Sequence, residues 1–136
     1  MLVSTRGRYA LRVMLDLCEN NDGSYIPLND IAKRQEISEK YLESVVAALV
    51  KAGFLEGLRG KRGGYRLTKA PEEYSVGSIL RLTEKSMAPV ACLDCEVNNC
   101  ERKDTCKTLP LWTQLDKRVN GYLDGVTLKD LSEGKV

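Results

Sequence analysis

Residues 38–68 read SEKYLESVVAALVKAGFLEGLRGKRGGYRLT, and the order of signals within them decides the fold. Ser38 is a good N-cap, its hydroxyl able to accept from an orphan backbone amide two or three residues on. Glu39 follows in the first turn, where the helix dipole favours negative charge. Tyr41, Leu42, Val45, Val46, Leu49 and Val50 continue the helix, and Gly53 supplies a natural stop. The opposite face carries Glu39, Lys40, Glu43, Ser44, Ala47 and Lys51, all polar or small. On an isolated helix that face would be solvated surface and nothing more. The next residues change its meaning. Residues 54–58 and 64–68 look like two short strands joined by Arg59-Gly60-Lys61-Arg62-Gly63. Gly60, Gly63 and Gly64 permit the positive φ angles of a tight hairpin. From Arg59 to Arg66 there are four basic side chains and no acidic one.

Upstream, residues 27–36 read as a second short helix, with Pro27 near its first turn and Leu28, Ile31 and Ala32 facing inward. The break at Ile37-Ser38 makes a helix-turn-helix of the pair. Further back, Tyr9 to Glu19 places Leu11, Met14, Leu15 and Cys18 at amphipathic helical spacing, so Cys18 reads as a small buried hydrophobe. An ordinary charged hairpin is the alternative for residues 54–68. Its position directly after a helix-turn-helix favours a DNA-binding wing instead. Exposed glycines let a backbone approach phosphates, and arginine can enter a narrow, electronegative minor groove. Charge is divided in the same sense. Residues 1–70 hold 12 Lys and Arg against 8 Asp and Glu, whereas residues 71–136 hold 9 against 11. The basic half is where a polyanion would dock.

Downstream, Pro71 ends the hairpin, and residues 75–84 predict a helix through Val76, Ile79, Leu80 and Leu82. Residues 86–108 form a polar loop without periodicity that holds four of the five cysteines. From Leu111 the pattern returns, with Trp112, Leu115, Val119, Tyr122 and Val126 at alternating spacings of three and four. That is a heptad seam, suited to packing two helices along their length. It is short, so core packing within one chain is the alternative. Thr127 caps a last turn through Leu128 and Leu131. The expected fold is mainly α with a small β-hairpin wing: a winged helix-turn-helix over residues 1–70, then a cysteine loop (86–108) and a long C-terminal dimerisation helix within residues 71–136.

With 43% hydrophobic residues in 136, the chain can bury a core without needing disulfides or a metal merely to fold. No apolar run approaches the ~18 residues of a membrane span, and MLVSTRGRYALRVML lacks a signal-peptide layout. A cytoplasmic protein with no membrane partner is expected. In that compartment cysteines are free, redox-active or metal-bound rather than paired in structural disulfides. An enzyme is not expected, since the chain has no histidine, no phosphate-cradling P-loop and no nucleophile motif.

Cys92, Cys95, Cys100 and Cys106 give C-x2-C-x4-C-x5-C. Soft thiolates crowded on a loop suit zinc or an iron–sulfur cluster. Zinc sites usually show two short Cys pairs, and only Cys92/Cys95 form one here. A thioredoxin-type use of that C-x-x-C would require a βαβ unit, which the pattern does not offer.

Three separated segments now carry a resemblance: Ser4-Thr5-Arg6-Gly7-Arg8-Tyr9-Ala10-Leu11, Ser38-Glu39-Lys40-Tyr41-Leu42-Glu43 and Arg59-Gly60-Lys61-Arg62-Gly63-Gly64-Tyr65. In these the chain resembles the IscR-type family of winged helix-turn-helix transcription regulators, which includes the NsrR, RirA and CymR regulators. The resemblance implies a homodimer with crossing C-terminal helices, bound to double-stranded DNA at a palindromic operator. It implies DNA contacts from Ser38, Lys40, Tyr41, Glu43 and Ser44 on the recognition helix. Arg59 would enter the minor groove beside Gly60, with Lys61, Arg62, Thr5, Arg6 and Arg8 near the backbone. Glu43 would help choose between operators, since a carboxylate accepts from cytosine N4 but repels phosphate. For the loop it implies a cluster, 2Fe–2S ahead of 4Fe–4S, held by Cys100, Cys106 and either Cys92 or Cys95. The chain departs from the family where some members use a histidine three residues after the last cysteine, because Leu109 stands there. It departs again at Arg8, where others recruit an aspartate. A fourth cysteine of the loop is then the simplest remaining ligand. Zinc, and a cofactor-free regulator controlled by a partner protein in the CymR manner, are the alternatives.

Overall fold

In the computed structural model, which describes residues 3–136, the first helix begins at Thr5 rather than Tyr9. Ser4 is its N-cap, with Oγ accepting from the Gly7 amide at 3.0 Å. Helix α1 (Thr5–Glu19) buries Gly7, Ala10, Val13, Met14, Asp16 and Leu17. Of the stripe read from sequence only Met14 lies fully inside; Leu11, Leu15 and Cys18 are half-buried against the edge of the core. Ala10, Val13, Met14 and Leu17 have the same i, i+3, i+4, i+7 spacing. Their stripe runs back through Gly7, and the helix turns that side to the core. Asp16 comes in with it, 1% exposed. Arg34 meets its two oxygens with Nε at 3.0 Å and Nη2 at 2.7 Å, and Gln35 Nε2 donates at 3.0 Å. This fork ties α1 to α2.

Helix α2 (Leu28–Gln35) starts after Pro27 and ends at Glu36, whose left-handed φ of 55° makes the tight turn. Helix α3 (Glu39–Lys51) follows at once, capped as read from sequence: Ser38 Oγ accepts from the Tyr41 amide at 3.1 Å. It buries Leu42, Val45, Val46 and Leu49, while Tyr41 and Val50 stay largely exposed.

Strands β1 (Leu55–Leu58) and β2 (Gly64–Leu67) pair antiparallel, with Leu55 opposite Leu67 and Leu58 opposite Gly64. β2 is pinned on its other side by Ile26, whose amide donates to Tyr65 O at 2.9 Å and whose carbonyl accepts from the Tyr65 amide at 2.8 Å. Gly60 and Gly64 take the expected positive φ, 110° and 156°. Gly63 does not, and it is glycine for another reason: a Cβ there would overlap the carbonyl oxygen of Leu58 across the hairpin. Arg66, one of the four cations counted in sequence, is not free. It pairs with Glu56, donates to Gly23 O at 3.0 Å and lies 4.3 Å from the Tyr25 ring centroid. At the hairpin's base the Tyr74 hydroxyl accepts from the Thr68 and Lys69 amides, both at 3.0 Å, and donates to Phe54 O at 2.8 Å.

Helix α4 (Val76–Thr83), capped by Ser75, packs on α1. Helix α6 (Leu128–Ser132), capped by Thr127, also returns to α1, and Leu128 is fully buried in the cluster that contains Ala10 and Met14. Between them, α5 (Leu109–Gly125) buries none of its residues. A polar clamp holds it to α4: Arg81 reaches Asp124 at 2.6 and 3.1 Å and Asn120 at 2.8 Å. The heptad stripe is therefore split: Trp112, Val119 and Val126 are half-buried within the chain, whereas Leu115 and Tyr122 stay exposed. Leu111 and Tyr122 are each 60% exposed and Leu115 41%. Residues 86–108 form a loop with one 3-10 turn (Ala91–Leu93). Among the described residues no helix is long and apolar enough to cross a membrane.

Candidate functional site

The outward face of α3 and the hairpin tip border one groove. A concavity of about 730 Å³ is lined by Glu39, Ala47 and Lys51 of α3 and by Leu58, Arg59 and Gly60 of the hairpin, among others. Ser38, Lys40, Tyr41, Glu43 and Ser44 are all exposed along the first half of α3, and Arg59, Gly60, Lys61 and Arg62 are exposed at the tip. Among the described residues Lys40, Glu43, Arg59, Lys61 and Arg62 form no ion pair. Free cations on an exposed turn, beside a helix face whose Lys40 and Glu43 are likewise without an ion pair, leave both available to a charged partner. The turn holds its shape without side-chain help, since the Gly63 amide donates to Gly60 O at 3.0 Å.

The start of α1 approaches the same face. Arg6 crosses to α3 and donates through Nη2 to Ser44 O at 3.2 Å. Arg8 folds back on Thr5 Oγ1 at 3.1 Å, leaving Thr5 and Arg8 exposed. Tyr9 meets Tyr41 edge-on, with ring centroids 5.3 Å apart at 81°. Such a contact favours one orientation of the exposed Tyr41 ring. Sequence reading missed this role of Tyr9, and missed Ser4 as a cap. Ser4 did carry a signal, a hydroxyl directly before a helical run; the Tyr9–Tyr41 contact, between residues far apart in the chain, carried none.

The cysteine loop is a different matter. Cys92, Cys95, Cys100 and Cys106 are free and half-buried or exposed. Cys92, Cys95 and Cys100 border one concavity with Val97 and Asn99; Cys100 and Cys106 border the next with Arg102 and Lys107. Yet among the described residues no three Cys, Asp or Glu side chains are placed to hold a metal ion. The donor set fits a thiophilic metal in kind, four soft ligands on one pliant loop, but the thiols are not gathered. The reason is physical. Among the described residues of the loop no side chain is fully buried, and Val97, between Cys95 and Cys100, is 64% exposed, so little packing offsets the entropy of closing the loop, which a shared ligand would supply.

Cys106 differs from its neighbours. The Thr108 hydroxyl lies 3.3 Å from Sγ, and this contact, with the amides of Thr108 and Leu109 at the start of α5, holds the thiol below its usual range. A lowered thiol pKa means more thiolate at neutral pH, and the advantage disappears as pH rises past the ordinary thiol range. In metal-free protein at neutral pH, iodoacetamide is therefore expected to modify Cys106 before Cys95, as read by peptide mass spectrometry. Equal labelling of the two would contradict the local geometry.

Comparison with known proteins gives the arrangement its context. Residues 3–134 match the Rrf2 family, described as an iron-dependent transcriptional regulator. The chain is 37% identical over 131 residues to the HTH-type transcriptional regulator IscR of Aliivibrio salmonicida, covering 96% of this chain and 77% of that one. To IscR of Escherichia coli it is 36% identical over 131 residues, covering 96% and 80%. Among solved structures, CymR, the global cysteine regulator of B. subtilis, superposes with a TM-score of 0.80 at 32% identity, covering 98% of this chain and 97% of that one. IscR of T. potens superposes with a TM-score of 0.79 at 33% identity, covering 100% and 89%. With its winged helix-turn-helix architecture and its exposed α3 face beside a cationic hairpin, the chain belongs to the Rrf2 family and is a DNA-binding transcription regulator.

Proposed function

We propose that this regulator binds a palindromic operator as a homodimer in the cytoplasm and reads the state of a metal centre in its cysteine loop. The observation that carries the DNA part is the groove shared by α3 and the hairpin, lined by Arg59 and continued by the exposed Lys61 and Arg62 of the same turn, none of the three in an ion pair among the described residues. In this reading Ser38, Lys40, Tyr41, Glu43 and Ser44 face the major groove. Arg59 and Gly60 enter the minor groove, and Lys61, Arg62, Thr5, Arg6 and Arg8 meet phosphates. Residues 1–70 then serve DNA recognition and residues 71–136 sensing and pairing. The division is one of function, because α4 and α6 pack on α1 of the first half.

Four thiols and no histidine favour an iron–sulfur cluster, 2Fe–2S ahead of 4Fe–4S, held by Cys92, Cys95, Cys100 and Cys106; zinc is the other metal that the donors suit. Bound there, a cluster would supply a centre sensitive to oxidation, nitric oxide or iron shortage. The chain's own part is to close residues 86–108 around it and pass the change to α4 and α5, which flank the loop. A second reading, a cofactor-free regulator governed by a partner protein, is favoured by the likeness to CymR. Anaerobic reconstitution with visible absorption and iron and sulfide assays separates the readings. A coloured protein with stoichiometric iron and sulfide supports the first; a colourless one holding one zinc per chain rejects the cluster.

The DNA reading has its own test. Arg59→Ala is expected to weaken binding to a duplex selected from a random library by about 1–3 kcal/mol. Lys61→Ala should weaken selected and random duplexes alike and reduce the salt slope by roughly one. Unchanged affinity and salt dependence in both variants, by fluorescence anisotropy, would remove the hairpin from the interface.

A further inference from the structure

We infer that Glu84 is a positioning residue that couples the cysteine loop to the DNA-reading helix through the cap of α1, an inference that rests on the metal-sensing reading above. Glu84 directly follows α4, two residues before the loop begins at Ser86. Its carboxylate does not face solvent alone. Oε1 accepts from the Ser4 amide at 3.0 Å and from Ser4 Oγ at 2.8 Å. The same Ser4 Oγ caps α1 by accepting from the Gly7 amide at 3.0 Å. Gly7 makes room for this: a Cβ there would overlap Glu84 Oε1 and come within 3.2 Å of Thr83 Oγ1. Glycine inside a helix weakens it, and here its missing side chain forms the seat for a carboxylate from the far end of the fold.

Each end of this contact leads on to a functional segment. Towards the loop, Ser86 Oγ donates to the carboxylate of Asp94, which stands between Cys92 and Cys95. Ser86 Oγ also accepts from the Ala88 amide at 3.0 Å. Binding a metal through Cys92 and Cys95 acts on the segment that holds Asp94, and Asp94 is tied to the residue two positions from Glu84. Towards the DNA, α1 is a continuous helix from its cap onward, and its first turns touch α3 twice, through Arg6 on Ser44 O and through Tyr9 on Tyr41. A shift of Ser4 therefore reaches the exposed half of the recognition helix. The structure holds the cap seated on Glu84, and the coupling requires a second state in which it is released. Glu84 touches neither metal nor DNA in this scheme.

The test compares full-length wild type, Glu84→Ala and Ser86→Ala, each reconstituted anaerobically with iron and sulfide or left metal-free. Binding is read on one fluorescent duplex selected by the wild type. For coupling of ordinary size the wild-type affinities of loaded and empty protein differ by about tenfold, and in both variants the ratio falls to within about twofold of one. Iron content stays at the wild-type level, because neither residue is a ligand. Ser86 is exposed, so its variant reports even where Glu84→Ala folds poorly. Hydrogen exchange on the wild type gives an independent readout: protection of residues 4–9 changes when the loop is loaded. Variants that keep the full wild-type ratio, or exchange in residues 4–9 that ignores loading, overturn the role of Glu84 while the sensing reading stands. A wild type whose DNA affinity is indifferent to loading overturns both.

Discussion

Combining Leu115→Asp with Tyr122→Asp is expected to leave the chain folded, make it monomeric, and lower operator affinity by about 100-fold or more. The folded part follows from burial. No residue of α5 is buried, and Leu115 and Tyr122 are 41% and 60% exposed, so the core loses nothing. The helix itself stays anchored by Arg81 on Asp124 and Asn120, which the substitutions do not touch. The monomeric part follows from the stripe. Leu115 and Tyr122 stand one heptad apart, with Leu111 extending the same exposed apolar line. A soluble chain rarely leaves so ordered a line in water unless something covers it. In the homodimer proposed above a second copy would cover it, because an identical seam is self-complementary about a two-fold axis, as a heptad pair requires. Each introduced carboxylate then occurs twice in one apolar interface, where its desolvation costs more than the exposed Arg118, one turn from both positions on the same helix, offsets. Affinity falls because two half-sites bound by a linked pair benefit from a high effective concentration, which separate chains lack. Sedimentation equilibrium with anisotropy titration on the selected duplex checks both parts. A double variant that still sediments as a dimer would show that α5 does not pair the chains.

That stripe was legible because a heptad pattern is written in consecutive residues, and so were the Ser38 cap, the Gly53 stop and the glycine-rich hairpin. The structure returned the cap, the stop and the hairpin nearly at the boundaries read from sequence, and one continuous helix along most of the stripe. Features that were not legible depended on a partner distant in the chain. Leu11–Leu15–Cys18 and Ala10–Val13–Leu17 are equally helical stripes, and only packing against the core decides between them. Arg66 counted as a free cation until Glu56, Gly23 and Tyr25 were found around it. Gly63 looked like a turn glycine and is instead a close-approach glycine against Leu58 O. For the cysteines the donor set was readable and the assembly was not. Spacing along a loop limits which thiols can meet a metal, whereas their positions without one depend on packing that no local pattern records.

The least legible residue of all was Asp16, and it supports the second large expectation: Arg34→Ala should destabilise the fold by about 3 kcal/mol, a fall of roughly 10 °C in melting temperature for a chain of this size. Asp16 sits in the middle of the core stripe of α1, and its side chain is 2% exposed. A carboxylate so placed tolerates burial only while its oxygens are met, and Arg34 supplies two of the three side-chain donors that meet them. Removing Arg34 leaves Gln35 alone on a stranded charge. Arg34 itself is 40% exposed, so water can follow the truncation some way inward, which keeps the cost near the lower end for a broken buried pair. Attributing the loss to charge rather than packing predicts a rescue. Asp16→Asn in the Arg34→Ala background removes the charge while keeping the volume, so the double variant should be more stable than Arg34→Ala alone. Urea denaturation of the four proteins measures the cycle. If Arg34→Ala lay within about 1 kcal/mol of wild type, or if adding Asp16→Asn made it worse, α1 and α2 would be held together by their apolar contacts, with the Asp16–Arg34 pair contributing only orientation.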